Sequence, residues 1–254
     1  METMKAIVIY EAGGPEKLLL EERPIPELQG GWTLVKVRGF GINHSEIFTR
    51  EGLSPSVTFP RILGIECVGQ VAKTTRADLE IGQKVVSIMG EMGRAFDGSY
   101  AEYVILPNDQ IYTVETNLTW TELAAVPETY YTALGSMKNL CIEPNDKILV
   151  RAATSGVGLA FARLVKAQFP DTHIVGSVNS GSKQFLLKHQ VYDDIIIDQD
   201  GRLETEDKFE KILELVGPAT VKDSFDHIAE GGIICVTGLL GGQWELEDFN
   251  PIEE

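Results

Sequence analysis

The six residues Ala153-Thr154-Ser155-Gly156-Val157-Gly158 carry side chains small enough for a ligand to approach the backbone. They stand between an apolar run, 147–152, and a stretch where Leu159, Ala162, Leu164, Val165 and Phe169 recur at roughly helical spacing. A turn that opens a helix has unpaired backbone N–H groups and the positive end of the helix dipole. The chemistry open to it is therefore anion binding, a pyrophosphate above all. In the dinucleotide pattern G-x-G-x-x-G the glycine places fall on Ala153, Ser155 and Gly158, and only the last is glycine. Taken alone, this turn fits an ordinary strand–helix packing corner as well as it fits a nucleotide site.

The residues downstream favour the nucleotide. A second apolar run, 173–178, completes a strand–helix–strand unit of about 30 residues. An NAD site places Asp or Glu about 20 residues beyond the turn, on the ribose 2′-hydroxyl. Counted from Gly158, that place is Val178. The loop after it reads Asn179-Ser180-Gly181-Ser182-Lys183, hydroxyls and one cation without a carboxylate. Losing the acid and gaining a cation suits a 2′-phosphate, so NADPH is expected rather than NADH. The plainer reading of Lys183, a solvated residue opening the next helix, stays open.

The elements that must hold this turn differ between the two halves of the chain. Across residues 1–123, short runs of strand character (5–10, 33–39, 67–73, 84–88, 101–106 and 111–114) are separated by Gly, Pro and charge, with little helical periodicity. This reads as a β-rich, barrel-like domain. From Thr119 the pattern changes: Thr119 and Glu122 have capping-box spacing. Helical segments are expected at 122–125, 130–139, 184–189 and 221–229, the last stopped by Gly231-Gly232. Strands are expected at 194–197 and 233–237, while 207–216 looks amphipathic or half-buried. Alternating strands and helices imply an open parallel sheet over 124–254, whose ligands bind at the carboxyl ends of its strands. The loop 238–242 leaves from that edge.

Composition narrows the function classes. The chain has 254 residues, 43% hydrophobic and 24% charged, with a net charge of −16. Such a charge argues against a nucleic-acid or anionic-membrane partner. No apolar run approaches 18 residues, and the N-terminus reads as a strand and turn rather than a signal peptide. Cys67, Cys141 and Cys235 have neither disulfide-framework nor metal spacing and read as reduced, buried thiols of a cytoplasmic protein.

Seven stretches, in order, resemble one known family: GFGINHSEIFTREG (39–52), RILGIECVGQV (61–71), LEIGQKVVS (79–87), FDGSYAEYVILP (96–107), AAVPETYYTAL (124–134), AATSGVG (152–158) and GGIICVTGLLGG (231–242). The chain is similar to the medium-chain dehydrogenase/reductases, within them the zinc-free quinone oxidoreductase (zeta-crystallin-like) branch. The resemblance implies an α/β protein: a GroES-like β-barrel catalytic domain, 1–123, and a Rossmann doubly wound parallel-sheet domain, 124–254, with the active site in the cleft between them. It implies hydride transfer from NADPH to a small acceptor, a quinone or α,β-unsaturated carbonyl, in a homodimer formed through the Rossmann domain if the C-terminal segment is present. Zinc members supply Cys and His where this sequence has Asn43 and Ile65, although Gly64 and Glu66 of the Gly-His-Glu motif remain. Neither Asn nor Ile suits zinc, so no metal is expected.

The resemblance also assigns residues. Asn43 and Thr132 are the expected catalytic pair beside the nicotinamide, with His44 touching the cofactor. Ser155, Gly156, Val157 and Gly158 match the pyrophosphate turn, and Ser177, Asn179, Ser180 and Lys183 the adenosine-phosphate loop. Thr237, Leu239 and Leu240 match the wall behind the nicotinamide. Phe48, Ser54, Ile65 and Tyr130 are expected in the substrate cleft, Phe48 and Ser54 standing where bacterial relatives often carry tyrosines. Members of the family continue past the point where this sequence stops, so a C-terminally truncated Rossmann domain is expected. Two other functions stay open: an NADPH-binding protein without turnover, and an enoyl-thioester reductase.

Overall fold

A computed structural model describes residues 2–183 and 191–250. The chain divides into two compact units, Met1–Glu128 and Thr129–Glu254. The first is built of antiparallel strands: β1 (Thr3–Ile9), β2 (Leu19–Pro24), β3 (Trp32–Gly39), β4 (Arg61–Ile62), β5 (Glu66–Thr74), β6 (Lys84–Ile88), β7 (Tyr103–Pro107) and β8 (Tyr112–Thr113). They form a sheet of order β2-β1-β4 and another of order β7-β3-β5-β6-β8. Alternation decides which side faces inward: Met4, Ala6 and Val8 of β1 pack with Ile62, Leu63 and Tyr100, while Val35, Cys67, Val71, Val85 and Val104 close a second core. Two helices belong to this unit, α1 (His44–Arg50) and α2 (Trp120–Ala124). On α2 the capping box is made, with Thr119 Oγ1 accepting the Glu122 N–H and the Glu122 carboxylate accepting the Thr119 N–H.

The second unit is an α/β sheet of order β12-β11-β10-β9-β13-β14. Its strands are β9 (Lys147–Val150), β10 (His173–Val178), β11 (Asp194–Gln199), β12 (Arg202–Leu203), β13 (Phe209–Glu214) and β14 (Ile228–Val236). All neighbours run parallel except β11 and β12. The named helices are α3 (Pro127–Asn139), whose first two residues belong to the first unit, α4 (Gly156–Gln168) and α5 (Val221–His227). Strand order turns back between β9 and β13, which is where a doubly wound sheet opens a crevice. Phe161, Ala162 and Val165 of α4 pack on Ile148, Val150 and Ile174.

Several expectations change. Residues 207–216, expected to be amphipathic or half-buried, contain a parallel strand that is buried at all but one position. Lys211 and Glu214 lend it polarity, yet both are buried, Lys211 facing Asp146 and Glu214 accepting from Ser224 and the N–H groups of Val216 and Gly217. The helix expected at 221–229 ends at His227 and the next strand starts at Ile228, because Ile228 pairs with Phe209. Strand β2 and helix α1 were not expected. β2 buries no residue fully and is held by its ladder with β1, so it leaves no alternation to read. Cys141 is exposed rather than buried. The helix expected at 184–189 lies outside the described residues.

One side chain ties the second unit together. Arg151 follows β9 and is completely buried. It pairs with Asp198 of β11 and donates to Asp223 Oδ2 at 2.8 Å, Thr220 O at 3.1 Å, Ser224 Oγ at 3.2 Å and Gly201 O at 3.0 Å. Glu214 Oε2 lies 3.8 Å from its Nε. Removing the cation would leave Asp198, Glu214 and Asp223 without their counter-charge, a loss of about 3–5 kcal/mol for a buried pair broken on one side. Arg151→Ala is expected to lower the unfolding free energy in urea by that amount; a loss below about 1 kcal/mol, the scale of an exposed pair, would contradict this role.

Candidate functional site

In the second unit the turn after β9 is arranged around its own backbone. Ser155 is the N-cap of α4, and its Oγ accepts the Gly158 N–H at 3.1 Å. A Cβ on Gly158 would come to 3.1 Å from the carbonyls of Ala152 and Ala153, so glycine keeps this turn tight. The buried Tyr192 hydroxyl donates to Ala153 O (3.0 Å) and Gly158 O (2.8 Å), pinning both sides of the turn. Burial pushes that phenol's pKa upward, which keeps it a donor. Sequence reasoning missed Tyr192. The signal available was chemical: a tyrosine in an apolar setting needs a partner for its hydroxyl.

A cavity of about 730 Å³ opens over the ends of these strands, lined by Ser155, Ser177, Asn179, Lys183 and Leu240 among others. Its size falls within the ordinary range for small-molecule sites. Ser177 Oγ is buried in its wall without a hydrogen-bond partner among the described residues. Lys183 is exposed and makes no ion pair among the described residues, while Val178 is buried at the end of β10. Gly156, Val157 and Gly158 form the first turn of α4 beside the cavity; the Val157 side chain packs against the core. Ser180 bonds to Ser182 instead, Oγ to Oγ at 2.9 Å. Two acids that the sequence reading did not consider, Asp198 and Asp200, also face the cavity. Asp198 arrives through the fold rather than through spacing, and Arg151 neutralises it.

The same unit joins the other second-unit residues expected near a nicotinamide. Ser136 Oγ donates to Thr132 O at 2.9 Å and lies 2.9 Å from Thr237 Oγ1, so α3 and the end of β14 are linked. Leu239 packs on the backbone of Gly217, and Leu240 reaches the cavity. Tyr130 is half-buried against the core and Tyr131 is exposed.

The first unit contains a second cluster. Asn43 is the N-cap of α1. Its backbone N–H donates to Glu46 Oε2 at 2.6 Å, and its Nδ2 donates to Glu66 Oε1 at 2.9 Å. Glu46 also accepts the Ile65 N–H (2.8 Å) and the Tyr100 hydroxyl (2.8 Å). Burial raises the carboxyl pKa of both Glu46 and Glu66. Ile65 is buried. His44 meets Phe48 edge to face at 4.8 Å, and Ser54 Oγ lies 2.9 Å from Thr49 Oγ1. Glu46, Glu66 and Tyr100 were not among the expected site residues. Glu66 was visible only as the acid surviving from a Gly-His-Glu motif.

Residues 29–116 match the family model of the alcohol dehydrogenase GroES-like domain. Quinone oxidoreductase of Lama guanicoe is 26% identical over 253 residues, covering 94% of this chain and 74% of that protein. Human quinone oxidoreductase is likewise 26% identical, over 254 residues, with the same coverage. Among solved structures, the quinone oxidoreductase of Coxiella burnetii aligns with a TM-score of 0.84 at 27% identity, covering 92% of this chain and 75% of that one.

The buried Glu46 carboxyl has a measurable consequence. Its raised pKa means the native chain holds that proton to higher pH than the unfolded chain. Stability therefore falls as pH rises from the ordinary carboxylate range through the raised native value. Glu46→Gln removes this titration. Urea unfolding of both proteins between about pH 4 and pH 8 is expected to show the wild type losing stability relative to the variant as pH rises. A difference independent of pH would contradict it.

Proposed function

The chain belongs to the medium-chain dehydrogenase/reductase superfamily, a family of oxidoreductases, and from that membership we propose an activity of the quinone oxidoreductase-like kind. The protein transfers hydride from NADPH to a quinone or α,β-unsaturated carbonyl, without zinc. The observation that carries the cofactor half of this reading is the second unit's cavity, where the start of α4, the unpartnered Ser177 hydroxyl and Lys183 converge with no carboxylate at Val178. The residues present fit a dinucleotide. The free N–H groups of α4 hold the pyrophosphate, and Ser177, Asn179, Ser180 and Lys183 take the adenosine phosphate. Thr132, Thr237, Leu239 and Leu240 orient the nicotinamide end.

NADPH, when bound, supplies the hydride. In the first unit, Asn43 offers a hydrogen bond to the acceptor oxygen as negative charge grows on it. Phe48, Ser54 and the hydrocarbon of Ile65 shape the acceptor's surroundings and exclude water. Asn43 and Ile65 cannot ligate zinc, which supports a reaction that relies on placement rather than on a Lewis acid. No side chain is assigned as proton donor; solvent or a cofactor hydroxyl delivers the proton.

NADPH oxidation with a panel of small quinones and enones in the presence of a chelator is expected to proceed; a requirement for added zinc would sink the zinc-free mechanism. Thermal stabilisation by NADPH with no oxidation across the panel would replace turnover with cofactor binding alone. Lys183→Ala is expected to weaken NADPH about 10–100-fold, as for loss of a charge-assisted bond to phosphate, and NADH by less than about 3-fold. Equal weakening of both cofactors would remove Lys183 from the 2′-phosphate.

A further inference from the structure

Glu66 opens β5 and is 2% exposed. Both of its carboxylate oxygens are engaged. Oε1 accepts from Asn43 Nδ2 at 2.9 Å, and Oε2 accepts the Glu128 N–H at 3.0 Å, in the first turn of α3. The backbone of Gly41 passes so close that a Cβ there would lie 2.2 Å from Oε1. The chain has therefore left room for this carboxylate. Asn43 is fastened at two points: its main chain by Glu46 and its side chain by Glu66.

The chemistry of the partners decides which way the Asn43 amide points. A carboxylate only accepts hydrogen bonds, so the end of the amide that faces Glu66 must be the NH₂. With the amide turned over, Oδ1 would oppose the buried Oε1 of Glu66, two acceptors with no proton between them. The second Nδ2 hydrogen has no acceptor among the described residues. We propose that Glu66 is a positioning residue that sets the polarity of the Asn43 amide, so that Asn43 meets an acceptor oxygen as an N–H donor. The donor's use in hydride transfer rests on the reading of Asn43 given above; the fastening of the amide does not.

Glutamine at position 66 cannot do the same work. It presents one acceptor and one donor to two donors, Asn43 Nδ2 and the Glu128 N–H. If its oxygen serves Glu128, its NH₂ faces Asn43 and turns Oδ1 toward it, reversing the group that Asn43 presents. The cost appears where negative charge develops on the acceptor, and the loss of one such donor is on the order of 10²–10³ in rate at other oxyanion sites.

The experiment has two arms on the full chain. In the first, the Asn43 side-chain amide is found in a ¹⁵N–¹H spectrum by its loss in Asn43→Ala. One of its two protons is expected downfield and protected from solvent exchange in the wild type, and Glu66→Gln is expected to abolish that asymmetry. Two rapidly exchanging protons at the ordinary positions of a solvated Asn amide in the wild type would overturn the proposal even if Glu66→Gln does not fold, and so would an unchanged signal in Glu66→Gln. In the second arm, Glu66→Gln is expected to lower kcat with a quinone or enone about 10–100-fold with KM for NADPH unchanged, and to change kcat less than about 2-fold in the Asn43→Ala background. Losses that multiply in the double variant would make Glu66 merely structural and overturn the proposal. A wild type with the asymmetric amide but no oxidation of NADPH would end the functional reading and leave the fastening standing.

Discussion

A charge taken out of water must be met by partners held in place, and both units of this protein are ordered by that requirement. In the second unit it is met at Arg151, where one guanidinium gathers the ends of β9 and β11 and the start of α5. Those are the strand ends over which the cavity opens, so the charge cluster also sets the cavity's floor. In the first unit it is met at Glu46 and Glu66, whose donors come from α1, Ile65, Tyr100 and the first turn of α3. Each cluster turns a costly buried charge into a fixed geometry for a neighbouring residue.

The hydrogen bonds of Glu66 give the acid of the Gly64-Ile65-Glu66 stretch a structural task of its own. Glu66 stands next to Ile65, where the resemblance puts histidine in zinc members, and it binds Asn43, where the resemblance puts cysteine. The acid therefore has work that does not depend on a metal: it holds an amide whose remaining proton is a directional donor.

The nucleotide turn shows how little a linear pattern says about a cradle. Only one of three expected glycines is present, yet Ser155 caps α4, Gly158 keeps the turn close, and Tyr192 secures it from below. Tyr192 lies 34 residues beyond Gly158, so no local spacing announces it. Asp198 enters the cavity wall in the same way, through the parallel pairing of β10 and β11. The acid that the ribose rule looks for after β10 is missing, while another acid reaches the same cavity already neutralised.

Read as a line of residues, the chain declared its two-part architecture, the strand–turn–helix around residues 147–169 and the capping box at Thr119 and Glu122. These are legible because they depend on residue type and short-range period. The strand Phe209–Glu214 was not legible, since Lys211 and Glu214 made it look half-solvated, and only its place between β9 and β14 explains their burial. Nor were the roles of Arg151, Tyr192 and Glu66. Each acts through partners brought close by sheet pairing or helix docking, some of them more than 60 residues away in the sequence. Local sequence sets which elements form and which chemical groups they carry. The tertiary structure decides which donor faces which acceptor, because hydrogen bonds act over about 3 Å and the chain order does not encode that distance.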